Sequence, residues 1–166
     1  MNCDLIMTIL GPDRQGLVNQ LAETVADHSG NWLESRMARL AGQFAGIARI
    51  QCPEDKVDAL IETLNQAGIN IQVAREASSD SPAPRLVRID VMGNDRPGIV
   101  RDLTTAIAKA GGNVEEFSTG LESAPMSGHP MFRASGRVAI GADESLEKLR
   151  QTIEGLGEDL TVDFQG

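Results

Sequence analysis

The 166-residue sequence predicts an α+β chain made of two tandem copies of one small β-α-β-β-α-β unit. Three observations predict it. First, Gly11-Pro12-Asp13-Arg14-Gln15-Gly16-Leu17-Val18 returns 82 residues later as Gly93-Asn94-Asp95-Arg96-Pro97-Gly98-Ile99-Val100. Second, 10 of 31 positions are identical between residues 4–34 and 86–116 at that same offset, and Gly30-Asn31 meets Gly112-Asn113. A period of 82 is too long for a solenoid repeat and fits a duplicated small domain. Third, the apolar periodicity switches in the same order in both halves.

In the first half, residues 5–10 form a short apolar run closed by Gly11-Pro12, a buried strand. Leu17, Leu21 and Val25 then recur on one helical face, with Ser29-Gly30 as the expected left-handed end. Strands follow at residues 32–40 and 43–51, joined by Ala41-Gly42, and Pro53 ends the ladder. Val57, Leu60, Ile61 and Leu64 line a second helix that Gly68 closes, and Ile69, Ile71 and Val73 alternate as the last strand. The second half repeats this: a strand at 86–92, a helix lined by Ile99, Val100, Leu103 and Ile107, strands near 114–121 and 131–140, a helix lined by Leu146, Leu149, Ile153 and Leu156, and a strand at 160–164. Its hairpin is long, with Pro, Ser and Gly across residues 122–130. The element order is that of the ferredoxin-like fold: an antiparallel four-stranded sheet, both helices on one face and an edge strand left open. The expected domains are residues 1–76 and 85–166, with a Ser/Pro-rich linker at 77–84.

Charge and composition exclude several functions. The net charge is −9, and the surplus is acidic in both halves, with 6 basic and 11 acidic residues in 1–82 and 9 and 13 in 83–166. Duplex binding by counterion release needs clustered Lys or Arg, so direct nucleic-acid contact is not expected. Four Phe, one Trp and no Tyr leave few rings for stacking RNA bases on a sheet. No apolar run approaches the roughly 20 residues of a membrane span, and Met1-Asn2-Cys3-Asp4 has no basic secretory start, so a cytoplasmic protein is expected. Cys3 and Cys52 are expected as two reduced thiols.

The best site signal is the strand–turn–helix at 11–18 and 93–100. Glycine allows a tight turn and close ligand approach, and unpaired N–H groups at a helix start suit a carboxylate. Asp13 and Asp95 either cap the following helix or hold a ligand ammonium group. The turn lacks the Lys-Ser/Thr pair of a nucleotide loop. Catalysis, metal and cofactor find no support. His28 and His129 occupy non-equivalent positions, and neither cysteine belongs to a Cys-x-x-Cys pair or a nucleophile elbow.

The two Asp-Arg-x-Gly turns, with the Gly-Asn before the second strand of each half, resemble the signature of ACT domains in tandem. The resemblance implies a non-enzymatic, amino-acid-sensing regulator. The ligand would sit against the strand-one/helix-one loop, with Asn94, Asp95, Pro97, Gly98, Ile99 and Val100 as the stronger site and Asp13, Gln15, Gly16 and Leu17 as its counterpart. It also implies glycine or a similar small amino acid as ligand, and control of glycine-cleavage transcription through a protein partner, a transcriptional activator. A homodimer is compatible with it. The alternatives are an ACT pair that only assembles, and a small enzyme with Asp95 or His129 as acid/base in an interdomain cleft.

Overall fold

Strand β1, Asn2–Pro12, alternates strictly: Cys3, Leu5, Met7, Ile9 and Gly11 are buried, and the residues between them are not. This period of two places one face of the strand in a core and the other outward. In the computed structural model, which describes residues 1–77, 82–141, 143–144 and 146–166, helix α1 (Leu17–Asp27) lays Leu21 and Val25 on that face. Strands β2 (Asn31–Leu40) and β3 (Gln43–Pro53) form a hairpin, helix α2 (Val57–Asn65) adds Leu60 and Leu64 to the core, and β4 (Asn70–Arg75) completes the sheet. The order is β2-β3-β1-β4 and every pairing is antiparallel. Leu21, Leu60 and Leu64 are fully buried, each worth about 1.5–3 kcal/mol relative to exposure.

The second unit repeats the plan. Strand β5 (Arg85–Asn94), helix α3 (Ile99–Lys109), strands β6 (Asn113–Ser123) and β7 (Pro130–Ile140), helix α4 (Leu146–Glu154) and strand β8 (Thr161–Gln165) give a sheet of order β6-β7-β5-β8. Ile89, Leu103, Ile107, Leu149 and Ile153 are the largest fully buried side chains of its core. The two compact units are Met1–Asp80 and Ser81–Gly166. Positions 78–81 of the expected linker lie outside the described residues. Both sheets carry a bulge at the matching place, between Trp32 and Glu34 and between Val114 and Glu116. Trp32 packs against the first core.

Three details differ from the sequence reading. The left-handed residue after α1 is Ser29, with φ 58°, and not Gly30. A Cβ on Gly30 would lie 2.7 Å from Val25 Cγ1 and 2.8 Å from the Val25 carbonyl, so close packing, rather than handedness, requires glycine there. The second unit divides the two roles between two glycines: Gly111 is left-handed at φ 76°, and Gly112 makes the close approach to Ile107. Second, the long hairpin is shorter than expected, because β6 runs to Ser123 and β7 begins at Pro130. Third, neither aspartate of the two turns caps a helix. Gly16 and Gly98 are the N-cap residues, left-handed at φ 80° and 84°, with no side-chain cap bond. A glycine N-cap in this conformation turns the chain without help from a carboxylate.

Candidate functional site

The two signature turns are built alike. Each leaves the central strand, is fastened by one backbone bond to the β-hairpin and opens a helix. Asp13 N–H donates to the Gly42 carbonyl at 2.9 Å, and Asp95 N–H to the Pro130 carbonyl at 3.1 Å. The arginine braces the turn against the first turn of the helix it opens. Arg14 donates to Gln20 Oε1 at 2.6 Å and to the Ala67 carbonyl at 3.0 Å; Arg96 donates to Asp102 Oδ2 at 2.8 Å. The Arg96 hydrogen bond, with that from Arg101, holds the Asp102 carboxyl below the usual carboxylate range. The arginine of the signature thus fixes the loop, which the sequence alone did not reveal.

The aspartates part company. Asp13 is ion-paired with Arg39 Nε at 2.7 Å. The residue at the matching place in the second unit is Leu121. Sheet register confirms the match, since Arg39 and Gly11 both face Phe44 while Leu121 and Gly93 both face Phe132. Asp95 is exposed, and among the described residues its carboxylate has no hydrogen-bond or ion-pair partner. It stands on the rim of a cavity of about 320 Å³ lined by Arg96, Gly98, Ile99 and Val100 from the turn and α3, Thr119, Gly120 and Leu121 from β6, and Phe132 from β7. Phe132 and Ile99 are its buried walls, while Leu121 is largely exposed. The cavity therefore joins a free carboxylate, the start of a helix and an apolar wall.

Of the residues singled out from sequence, Asp95, Gly98, Ile99 and Val100 come together here. Asn94 and Pro97 do not line the cavity; the Asn94 N–H donates to Asp159 Oδ2 at 2.5 Å, which fixes the end of β5. In the first unit, Gly16 is the left-handed N-cap, Leu17 is 2% exposed and belongs to the core, Gln15 is exposed, and Asp13 is taken by Arg39. Thr119, Gly120, Leu121 and Phe132 were not found from sequence. One signal was available: Gly120, alone inside a strand, where a Cβ would meet nothing within 4 Å.

Among the described residues no group of three or more His, Cys, Asp or Glu could hold a metal ion, and no helix is long and apolar enough to cross a membrane. His28 Nδ1 lies 2.8 Å from the Thr24 carbonyl, which assigns its ring to the end of α1.

Comparison with known proteins agrees with this architecture. The ACT domain family model matches residues 4–76. An unknown protein from Galdieria sulphuraria is 29% identical, with a TM-score of 0.84 and 99% of this chain and 98% of that chain covered. A crystal structure described as a candidate glycine cleavage system transcriptional repressor is 18% identical, with a TM-score of 0.67 and the same coverage, a likeness of fold. Among curated proteins, phosphoserine phosphatase SerB2 of Mycobacterium tuberculosis is 28% identical over 134 residues, which is 75% of this chain and 32% of that protein. The chain spans about a third of the length of that curated relative. Residues 4–76 thus match the ACT domain family, the second unit repeats the fold and the signature turn of the first, and the chain has the tandem ferredoxin-like architecture of the solved structures it resembles.

Proposed function

We propose that this chain is an amino-acid-sensing regulatory protein, and that its ligand, glycine or a similarly small amino acid, binds at the turn of the second unit. The observation that carries the reading is the free Asp95 carboxylate on the rim of the 320 Å³ cavity, set against the Arg39-paired Asp13 of the first unit. Asp95 takes the ligand ammonium group. The ligand carboxylate takes N–H groups at the start of α3 that lack helical acceptors, beyond that of Ile99, which donates to the Arg96 carbonyl at 3.3 Å. ACT domains are regulatory domains that bind amino acids, which supports the same reading. A ligand with so few heavy atoms, at about −1.5 kcal/mol each at best, reaches roughly −7 kcal/mol, a Kd of order 10 μM, and commonly weaker.

The output is protein contact and not operator binding. Both halves carry an acidic surplus, and the nine basic residues of 83–166 are spread among thirteen acidic ones, whereas counterion release on duplex binding needs clustered Lys or Arg. The partner in this reading is a transcriptional activator of glycine-cleavage genes, held inactive or released according to ligand. The open sheet edges and the hairpin tip between Ser123 and Pro130, where Met126 is fully exposed, are the surfaces for it. The expected domain limits stay 1–76 and 85–166, and the expected compartment is the cytoplasm. The test is calorimetry of the full chain with glycine, serine and alanine, then a gel shift with the protein alone and with the activator. Heat from a small amino acid and no retardation by the protein alone support the reading. Specific retardation by this chain alone contradicts it.

A further inference from the structure

Cys3 lies on β1 and Cys52 on β3, and they stand directly opposite each other in the antiparallel register. The Glu54 N–H donates to the Met1 carbonyl at 3.0 Å, and the Asp13 N–H to the Gly42 carbonyl. Both bonds belong to the odd-numbered positions that flank β1, 1 and 13, so the alternation of the ladder makes Cys3–Cys52 a hydrogen-bonded pair. Such pairs have Cα atoms about 5.5 Å apart, inside the roughly 4.4–6.8 Å window that a disulfide spans. Opposed residues project from the same face of a sheet, and both cysteines belong to the same core cluster. Their environments differ. Cys3 is 9% exposed, and Arg75 Nη1 lies 2.9 Å from its sulfur. Cys52 is 0% exposed and its sulfur lies 3.6 Å from the His28 carbonyl. Burial pushes the Cys52 thiol up.

We propose that Cys3 and Cys52 form a reversible dithiol/disulfide site, with Cys3 as the sulfur that meets a small-molecule disulfide such as oxidised glutathione and Cys52 as the sulfur that resolves it. The Cys3 thiolate attacks one sulfur of the oxidant, a Cys3–glutathione bond forms, and one glutathione thiolate leaves. The Cys52 thiol gives up its proton to that thiolate and attacks the Cys3 sulfur. The protein S–S bond forms and the second glutathione leaves. Two protein thiols lose two electrons and two protons, and one small disulfide becomes two thiols. The bridge closes a loop that holds most of β1, α1, β2 and most of β3, which constrains the unfolded chain of this unit and raises its stability. The second unit has Arg85 opposite Ile140 at the matching position, so only the first unit responds.

The experiment exposes the full chain to oxidised glutathione, quenches in acid, and reads intact mass, a non-reducing peptide map and the thermal midpoint. The expected result is a mass lower by two hydrogens, a linked peptide pair holding Cys3 and Cys52 within one chain, and a midpoint raised by several degrees that dithiothreitol reverses. Cys52→Ser gains one glutathione at Cys3, and Cys3→Ser gains none at Cys52. The proposal is overturned by two thiols that both remain alkylatable after denaturation, by a link between chains, or by Cys3→Ser taking up glutathione as fast as Cys52→Ser.

Discussion

Position 39 carries an arginine and the matching position 121 a leucine, and this one exchange decides what the two signature aspartates are free to do. Arg39 supplies Asp13 with a cation from its own unit. Leu121 cannot, and Asp95 is left facing the cavity. A hydrogen bond to a charged group contributes about 1.5–3 kcal/mol. Asp95→Asn therefore weakens amino-acid binding by about 10-fold or more in a calorimetric titration, and Asp13→Asn leaves it unchanged. The N-cap glycines make a second residue-scale prediction. Gly16 and Gly98 sit at φ 80° and 84°, where an L side chain costs about 1–2 kcal/mol. A Cβ on Gly16 meets nothing within 4 Å, and one on Gly98 meets only the flexible end of Arg101. Each Gly→Ala variant loses roughly that amount in urea unfolding and no more. The turns were legible in the sequence, because Gly-x-Asp-Arg-x-Gly marks a strand exit and helix entry by residue type alone. The fate of each aspartate was not, because its partner comes from β2 or β6, and the register that brings positions 39 and 121 beside the turn is set by the hairpins.

Among the elements, every strand and helix follows from periodicity, and what remained hidden lies where two elements meet. The bulges at Trp32/Glu34 and Val114/Glu116 leave no compositional mark. Gly136, opposite Phe117 beside the second bulge, makes a close backbone approach. A Cβ there would lie 2.0 Å from the Glu116 carbonyl oxygen, and that oxygen is backbone. Gly136→Ala must move β6 against β7, and it costs about 3 kcal/mol or more in a denaturant titration. Gly120→Ala, in the same sheet, meets open space and stays within about 0.5 kcal/mol. A similar cost for both variants would contradict the close approach described for Gly136. The cavity wall from β6 was missed for the same reason: Thr119 and Leu121 read as ordinary strand residues until the strand is placed beside α3.

For the whole molecule, charge and repetition carry most of what the sequence could say. The duplicated plan and the acidic balance were both visible, and both bear on function. The pH response follows from particular pairs. The Arg75 hydrogen bond holds the Glu54 carboxyl below its ordinary range, and the Gln51 hydrogen bond, with the charge and hydrogen bond of Arg49, does the same for Asp4. A carboxyl with a folded pKa below its unfolded value of about 4 stabilises the folded state fully above that value. The contribution is lost as pH falls through the folded value. The urea midpoint of the first unit therefore falls as pH drops below about 4.3, and Glu54→Gln makes that acid limb shallower. An unchanged acid limb would show that the Arg75–Glu54 pair carries no linkage in solution.

The central claim is that one turn of the two is a working amino-acid site. Calorimetric stoichiometry of the full chain with small amino acids tests it most directly, with Asp95→Asn and Asp13→Asn run beside the wild type. The account predicts one ligand per chain in the wild type and in Asp13→Asn, and binding weaker by about 10-fold or more in Asp95→Asn. Two ligands per chain, or undiminished binding by Asp95→Asn, would contradict it.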